Sequence, residues 1–268
     1  MSEVAPAEPI RVGHVEGREL LADLYRPQEP NGAGVLLIHG GSFVHGDRRQ
    51  LAGYGIALAQ EGFTCMACEY RLATEAKWPA QLDDVQTALG YFCDHASSFD
   101  VATEKIAVSG NSAGGCLALL AAGLGVHPVA AAVALYPPVD FTGPDAKAQG
   151  IPEAMKYLLG EDVSDSRLRA MSPMTYVSPR FPATLLMTGN HDHRIHWSQS
   201  LKMYQALIEA GVQAEVHIFE GLPHAFDLIP AFGLLSARLI TLFLDRHVVN
   251  PWSFPQPEEN LVPGAASA

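Results

Sequence analysis

No stretch of this chain approaches the ~20 consecutive apolar residues that cross a bilayer, and its first nine residues are acidic rather than basic-then-apolar. A secretory leader reads the other way round, so a cytoplasmic protein with no membrane association is expected. Basic residues are scarce: 17 Lys and Arg against 29 Asp and Glu give a net charge of −12. Such a balance argues against nucleic acid or an anionic membrane surface as a partner. The four cysteines, Cys65, Cys68, Cys93 and Cys116, all fall inside apolar patterns. Buried reduced thiols fit that placement better than a disulfide framework. Cys65 and Cys68 form a C-x-x-C, but within a strand pattern rather than at a helix start, which speaks against redox or metal use. Neither G-x-G-x-x-G nor G-x-x-x-x-G-K-[S/T] occurs, so the common phosphate-cradling loops are missing.

What is present is a large apolar core. Hydrophobic residues are 48% of the 268 and charged ones 17%; a single domain of this length buries roughly 75% of its unfolded surface. Residues 10–15 and 20–26 read as an N-terminal antiparallel hairpin. Strand patterns follow at 34–38, 64–70, 105–109, 130–136, 183–188 and 214–219. Helical periodicity falls between them, near 51–60, from Pro79 onward, from Cys116, at 198–209 and at 227–246. That alternation predicts an α/β fold, with a mostly parallel sheet and helices on both faces. One domain over 1–268 is expected. Residues 141–182 are too long for an ordinary connection and read as a small lid, with a short helix at 151–159. Residues 250–268, with four prolines, read as an extended or disordered tail. Packing of that tail on a neighbouring subunit would make a homodimer.

Gly110-Asn111-Ser112-Ala113-Gly114-Gly115 sits between a strand and a helix pattern. In such a turn the central serine takes a strained conformation that lifts its hydroxyl above the end of the sheet. A Cβ at Gly110 or Gly114 would collide with the neighbouring strand or helix. Ser112 is therefore the candidate nucleophile. His39-Gly40-Gly41-Ser42-Phe43 follows the strand at 34–38, and its N–H groups can approach a ligand closely. Gly41, Ser42 and Ala113 are the candidate oxyanion donors.

A serine hydroxyl needs a base, and the base needs an orienting group. Of 11 histidines, His224 follows the strand at 214–219 and precedes the last helix, on the rim where ligands bind in open α/β sheets. Asp192 is the only carboxylate in the loop after the strand at 183–188. The order Ser112, Asp192, His224 is that of nucleophile, acid and base in the α/β-hydrolase fold. His191, Asp192, His193 and His196 lie close in sequence, but such a crowded loop seldom closes on one metal without a distant ligand. No metal and no cofactor are expected. Tyr70-Arg71, with Glu75 nearby, is expected to lock a loop rather than bind substrate.

Five blocks, residues 39–43, 69–73, 110–115, 189–192 and 221–224, stand in the order seen in the α/β-hydrolase superfamily. The chain most resembles the hormone-sensitive-lipase-like carboxylesterases and the smaller BD-FAE-type esterases and arylformamidases, from about residue 20 to 247. The resemblance implies a serine carboxylesterase acting on a small-molecule ester. An arylformamidase hydrolysing an N-formylkynurenine-type amide is the alternative, and a non-catalytic ligand-binding member of the fold is the third reading. Two positions depart from the family pattern: Asn111 replaces a common acidic residue, and Ser42 replaces a common third glycine. With the first strand starting near residue 10, no long N-terminal cap is expected, so the site should be open and select short acyl groups. Phe43, Met155 and Leu158, with Ile151, are the apolar residues expected to meet the substrate.

Overall fold

A computed structural model describes residues 7–143 and 155–251. Eight strands form one sheet: β1 (Glu8–Val15), β2 (Arg18–Tyr25), β3 (Gly34–Ile38), β4 (Thr64–Cys68), β5 (Ile106–Asn111), β6 (Ala131–Leu135), β7 (Ala183–Gly189) and β8 (Ala214–Phe219). Their order is β1-β2-β4-β3-β5-β6-β7-β8. β1 pairs antiparallel with β2, and β2 antiparallel with β4. From β4 onward every pairing is parallel. The helices are α1 (Ala52–Gln60), α2 (Ala80–Asp94), α3 (Ala113–Leu124), the short α4 (Lys156–Leu159) and α5 (Asp165–Ala170), α6 (Ser198–Glu209) and α7 (Pro230–Leu244).

The central strands are buried on both sides, and the two-residue period of a strand divides their side chains between two cores. Leu36, Ile38, Val108 and Leu186 pack with α2, α3 and α6. Val35, Leu37, Val133 and Met187 pack with α1 and α7. Cys65 and Cys68 belong to opposite cores, so the C-x-x-C is not a paired unit. All four cysteines are free, and burial pushes the Cys68 thiol up to about 12.

Three sequence expectations shift. The helix behind the elbow begins at Ala113 rather than Cys116, directly after Ser112. The helix expected over 227–246 is split into a 3-10 turn at Phe226–Leu228, α7, and a π turn at Asp245–Val249. Pro230 explains the break, since proline is tolerated only in a helix's first turn. Arg71 does lock a loop, but not through Glu75. Its guanidinium grips Asp84 of α2 at 2.9 Å and Glu16 at 2.8 Å, while Glu75 pairs with Arg18.

Residues 144–154, within the expected lid, and the tail from 252 onward lie outside the described residues; Ile151 is among them. The described remainder of 141–182 packs down onto the sheet. Phe141, Leu158, Leu159, Leu168, Met171 and Phe181 are all buried in the α2–α3–α6 core.

Candidate active site

The carboxyl ends of β3, β5, β6 and β7 and the loop after β8 converge on one rim. At the end of β5 the chain must turn sharply into α3, and Ser112 takes up the turn with φ 52° and ψ −120°. Only close backbone contact allows this. A Cβ on Gly114 would stand 2.0 Å from the Ile38 carbonyl oxygen, and one on Gly110 would stand 2.3 Å from that of Gly114. The Ser112 N–H donates to the Leu135 carbonyl at 2.9 Å, tying the elbow to β6.

His224 arrives from the loop after β8. Its Nε2 lies 3.0 Å from Ser112 Oγ and its Nδ1 lies 2.7 Å from Asp192 Oδ2. The Asp192 side chain is fully buried and that of His224 is 15% exposed. Asp192 Oδ1 accepts the N–H groups of Arg194 at 2.8 Å and Ile195 at 2.9 Å, which fixes the carboxylate's rotation. One oxygen is thus held by backbone and the other is aimed at the imidazole. The structure brings Ser112, His224 and Asp192 into one hydrogen-bonded row across three loops separated by up to 112 residues.

The loop after β3 curls beside this row. Gly41 has φ +115°, and a Cβ there would lie 1.9 Å from the His45 carbonyl oxygen, so no other residue fits. Its carbonyl accepts the N–H groups of Val44 and His45 at 3.0 and 3.1 Å. No hydrogen bond among the described residues uses the N–H of Gly41 or Ser42. The Ala113 N–H opens α3, where no carbonyl one turn earlier takes it. His39 anchors the loop from beneath. Its ring stacks on Tyr70 at 4.2 Å, and the Tyr70 hydroxyl donates to the His39 carbonyl at 3.0 Å. Burial lowers the His39 pKa and keeps the ring neutral.

A cavity of about 850 Å³ opens over Ser112 and His224. Its walls come from α1 through Tyr54 and Ala57, from α7 through Leu234 and Ala237, and from Tyr136, Asp227 and Leu228. Here the sequence reading needs correction. Phe43, Met155 and Leu158 do not line this cavity. Phe43 and Leu158 are buried in the opposite core and Met155 packs against it. Periodicity shows that these residues are apolar but not which face of the sheet they join.

Sequence reasoning also missed Tyr136, and it offers Asp227 only as an alternative acid to Asp192. The Tyr136 ring meets the His224 ring edge-on at 4.6 Å. Its hydroxyl donates to Asp227 Oδ1 and accepts from Asn111 Nδ2 at 3.2 Å. The Tyr54 hydroxyl donates to Asp227 Oδ2 at 3.2 Å. Burial and the Asp227 charge push both phenols' pKa up, so both stay protonated as donors. A signal existed for each: Tyr136 directly follows β6 on the rim, and Asp227 follows His224 by three residues.

A model of the BD-FAE family matches residues 22–207. Among similar proteins of known name, "Esterase LipC" of Mycobacterium tuberculosis is 30% identical over 234 residues, 79% of this chain and 58% of its own length. "Esterase LipQ" of the same organism is 29% identical over 239 residues, 79% of this chain and 55% of its own. The chain thus spans a little over half the length of these relatives. Among solved structures, native esterase Est2 of Thermogutta terrifontis superposes with a TM-score of 0.78 at 23% identity, covering 90% of this chain and 92% of that one. That esterase has also been solved with propionate bound, with butyrate bound and phosphonylated by sarin. No helix among the described residues is long and apolar enough to cross a membrane.

Proposed function

The chain belongs to the BD-FAE family, with the α/β-hydrolase fold of esterases, and from that premise we propose that it is a serine carboxylesterase acting on short-acyl esters of small molecules. The observation that carries this reading is the unbroken row from Ser112 Oγ through His224 to the buried Asp192. His224 Nε2 takes the Ser112 proton as Oγ attacks the ester carbonyl. Asp192 holds Nδ1–H, so that Nε2 is the basic nitrogen and the imidazolium is stabilised when it forms. Negative charge develops on the carbonyl oxygen, and the N–H groups of Gly41, Ser42 and Ala113 receive it, beside the positive end of α3. His224 then returns the proton to the leaving oxygen, and water repeats the sequence on the acyl-enzyme. Each oxyanion donor contributes about 3 kcal/mol to the barrier reduction. No step in this sequence calls for a metal or cofactor.

Short acyl selectivity is supported by what fills the site's surroundings. The leaving oxygen must lie within reach of His224 Nε2, so the leaving limb extends along Tyr136, Asp227 and α7 into the cavity. Phe43 and Leu158, the apolar residues that could have covered a long acyl chain, are instead buried in the α2–α3–α6 core, which favours a short acyl limb. The propionate and butyrate complexes of the Thermogutta esterase fit the same reading. Roominess on the leaving side also suits a formyl amide with a bulky aryl amine, so arylformamidase activity is the second reading. The free thiols suit a cytoplasmic setting.

Labelling with a fluorophosphonate tests the mechanism. One equivalent should attach at Ser112, and Ser112→Ala should abolish both labelling and ester hydrolysis. Labelling elsewhere, or activity of the variant within tenfold of the parent, would sink the assignment. Comparing p-nitrophenyl acetate with N-formylkynurenine separates ester from formamide preference.

A further inference from the structure

Among the described residues four aspartates are buried: Asp23, Asp84, Asp192 and Asp227. A buried carboxylate is costly unless a cation or a full set of hydrogen bonds compensates it. Asp23 has Arg48 at 2.7 Å, Asp84 has Arg71 at 2.9 Å, and Asp192 has His224 at 2.7 Å. Asp227 has only the two phenols of Tyr54 and Tyr136. It does not cap the helix that follows it, since α7 has no side-chain cap bond. Of the four, it alone faces the cavity together with its partners.

We propose that Asp227, Tyr54 and Tyr136 form a subsite for a protonated amine carried on the leaving limb of the ester. The inference rests on the ester-hydrolase reading for its substrate, but the subsite stands on its own geometry. A carboxylate has about four acceptor positions, and the phenols use two of them. Both phenols spend their protons on Asp227, so this wall turns acceptors and aromatic faces toward the cavity. An ammonium N–H finds a carboxylate there, and its methyl or methylene groups find the tyrosine rings, an arrangement that favours organic cations. Placement sets the limb: Tyr136 touches the His224 ring that must protonate the leaving oxygen. Arg194, also in the cavity wall, is exposed and makes no ion pair with Asp227. The protein's net charge of −12 favours approach of a cation.

Two ester pairs that exchange N–H⁺ for C–H test this. The first pair is 2-(dimethylamino)ethyl acetate against 3-methylbutyl acetate, with the charge on the leaving limb. The second is ethyl 3-(dimethylamino)propanoate against ethyl 4-methylpentanoate, with the charge on the acyl limb. At pH 7 the amino acetate should exceed its neutral partner in kcat/KM by at least about tenfold more than it does in Asp227→Asn; that variant carries the intrinsic reactivity difference between the esters. Equal ratios in parent and variant overturn the proposal, as does a preference confined to the acyl-limb pair. Binding of 2-(dimethylamino)ethanol and 3-methylbutan-1-ol to the unmodified protein, followed by ligand-observed NMR, needs neither turnover nor a folded variant. Tighter binding of the amine by tenfold supports the subsite; equal or weaker binding overturns it. If no ester in either pair is hydrolysed, the esterase reading fails while this titration still decides the subsite.

Discussion

On one face of the sheet Leu158, Leu159, Leu168, Met171 and Phe181 are buried in one core with α2 and α3; on the other, α1 and α7 leave a cavity of about 850 Å³ over Ser112. Both faces carry comparable apolar strands, so the sheet itself does not decide which side is open. The connections decide it. The described part of the long segment after β6 packs onto one face, whereas Pro230 stops the His224 loop from running straight into α7 on the other. The open face also carries its apolar residues in solvent: Leu228 is 76% exposed and Leu234 is 63% exposed, both on the cavity wall. Filling confers stability on one side, and its absence leaves the cavity over Ser112 on the other.

The largest expected effect belongs to the residue the two faces share. Ser112→Ala should lower kcat by about a thousandfold or more with an unchanged melting temperature. Any comparable loss from a change on the filled face, measured per folded molecule, would break the contrast. Asp192→Asn comes next, with a fall in kcat of about 10²–10⁴ and little change in KM, because the imidazole takes the wrong tautomer. If Asp227→Asn proves the more severe for p-nitrophenyl acetate, the acid has been misassigned.

Leu158→Ala and Leu234→Trp sharpen the comparison directly. The first removes a buried side chain and should cost about 2–5 kcal/mol of stability in denaturant titration, with kcat/KM per folded molecule held within about threefold. The second should change stability by less than about 1 kcal/mol and lower kcat/KM mainly for esters with bulky leaving groups. Reversal of that pattern would mean that substrate enters over the filled face. Across p-nitrophenyl esters from two to ten carbons, efficiency should peak between acetyl and butyryl and fall by octanoyl. A peak at octanoyl would place the acyl limb, rather than the leaving limb, in the cavity.

The smallest effect is in pH. Burial depresses the His39 pKa, so the folded state resists protonation that the unfolded chain accepts near pH 6.5. The unfolded state therefore binds more protons, and stability falls as pH drops below about 6.5. His39→Gln should flatten that slope in chemical denaturation between pH 5 and 7. A slope that survives the substitution would assign it to another group, such as His247, whose pKa burial also lowers.

The sheet was legible because period-two apolar runs and glycine-rich turns are local signals. Gly34–Ile38, Ser198–Glu209 and Ala214–Phe219 were read to the residue. Ser112, His224 and Asp192 could be brought together on paper because all three follow strands, and parallel strands end on one rim. The cavity wall was not legible. Whether Leu158 or Leu234 faces a cavity depends on which side of the sheet a connection crosses, and both are simply apolar residues in a helical pattern. Asp227 is legible in the sequence only as an alternative acid; that two phenols and no cationic side chain among the described residues hold its carboxylate is visible only in the complete set of neighbours.

Four residues with left-handed backbone, Ser42, Ser112, Tyr136 and Ala225, lie in the cavity wall, and Phe43 adjoins it. Each such conformation costs on the order of 1 kcal/mol or more for a residue with a side chain, and here neighbouring loops hold one another in place. The rim is consequently the part of the molecule with most to gain from letting go. Its amides should exchange with deuterium well before those of β5 and β6, and on warming the proposed ester hydrolysis should cease while the circular dichroism is still that of the native fold. Shelf life would then follow the opening rate of these loops, and an occupant bridging the oxyanion loop and the His224 loop would extend it more than any repair made deep in the sheet.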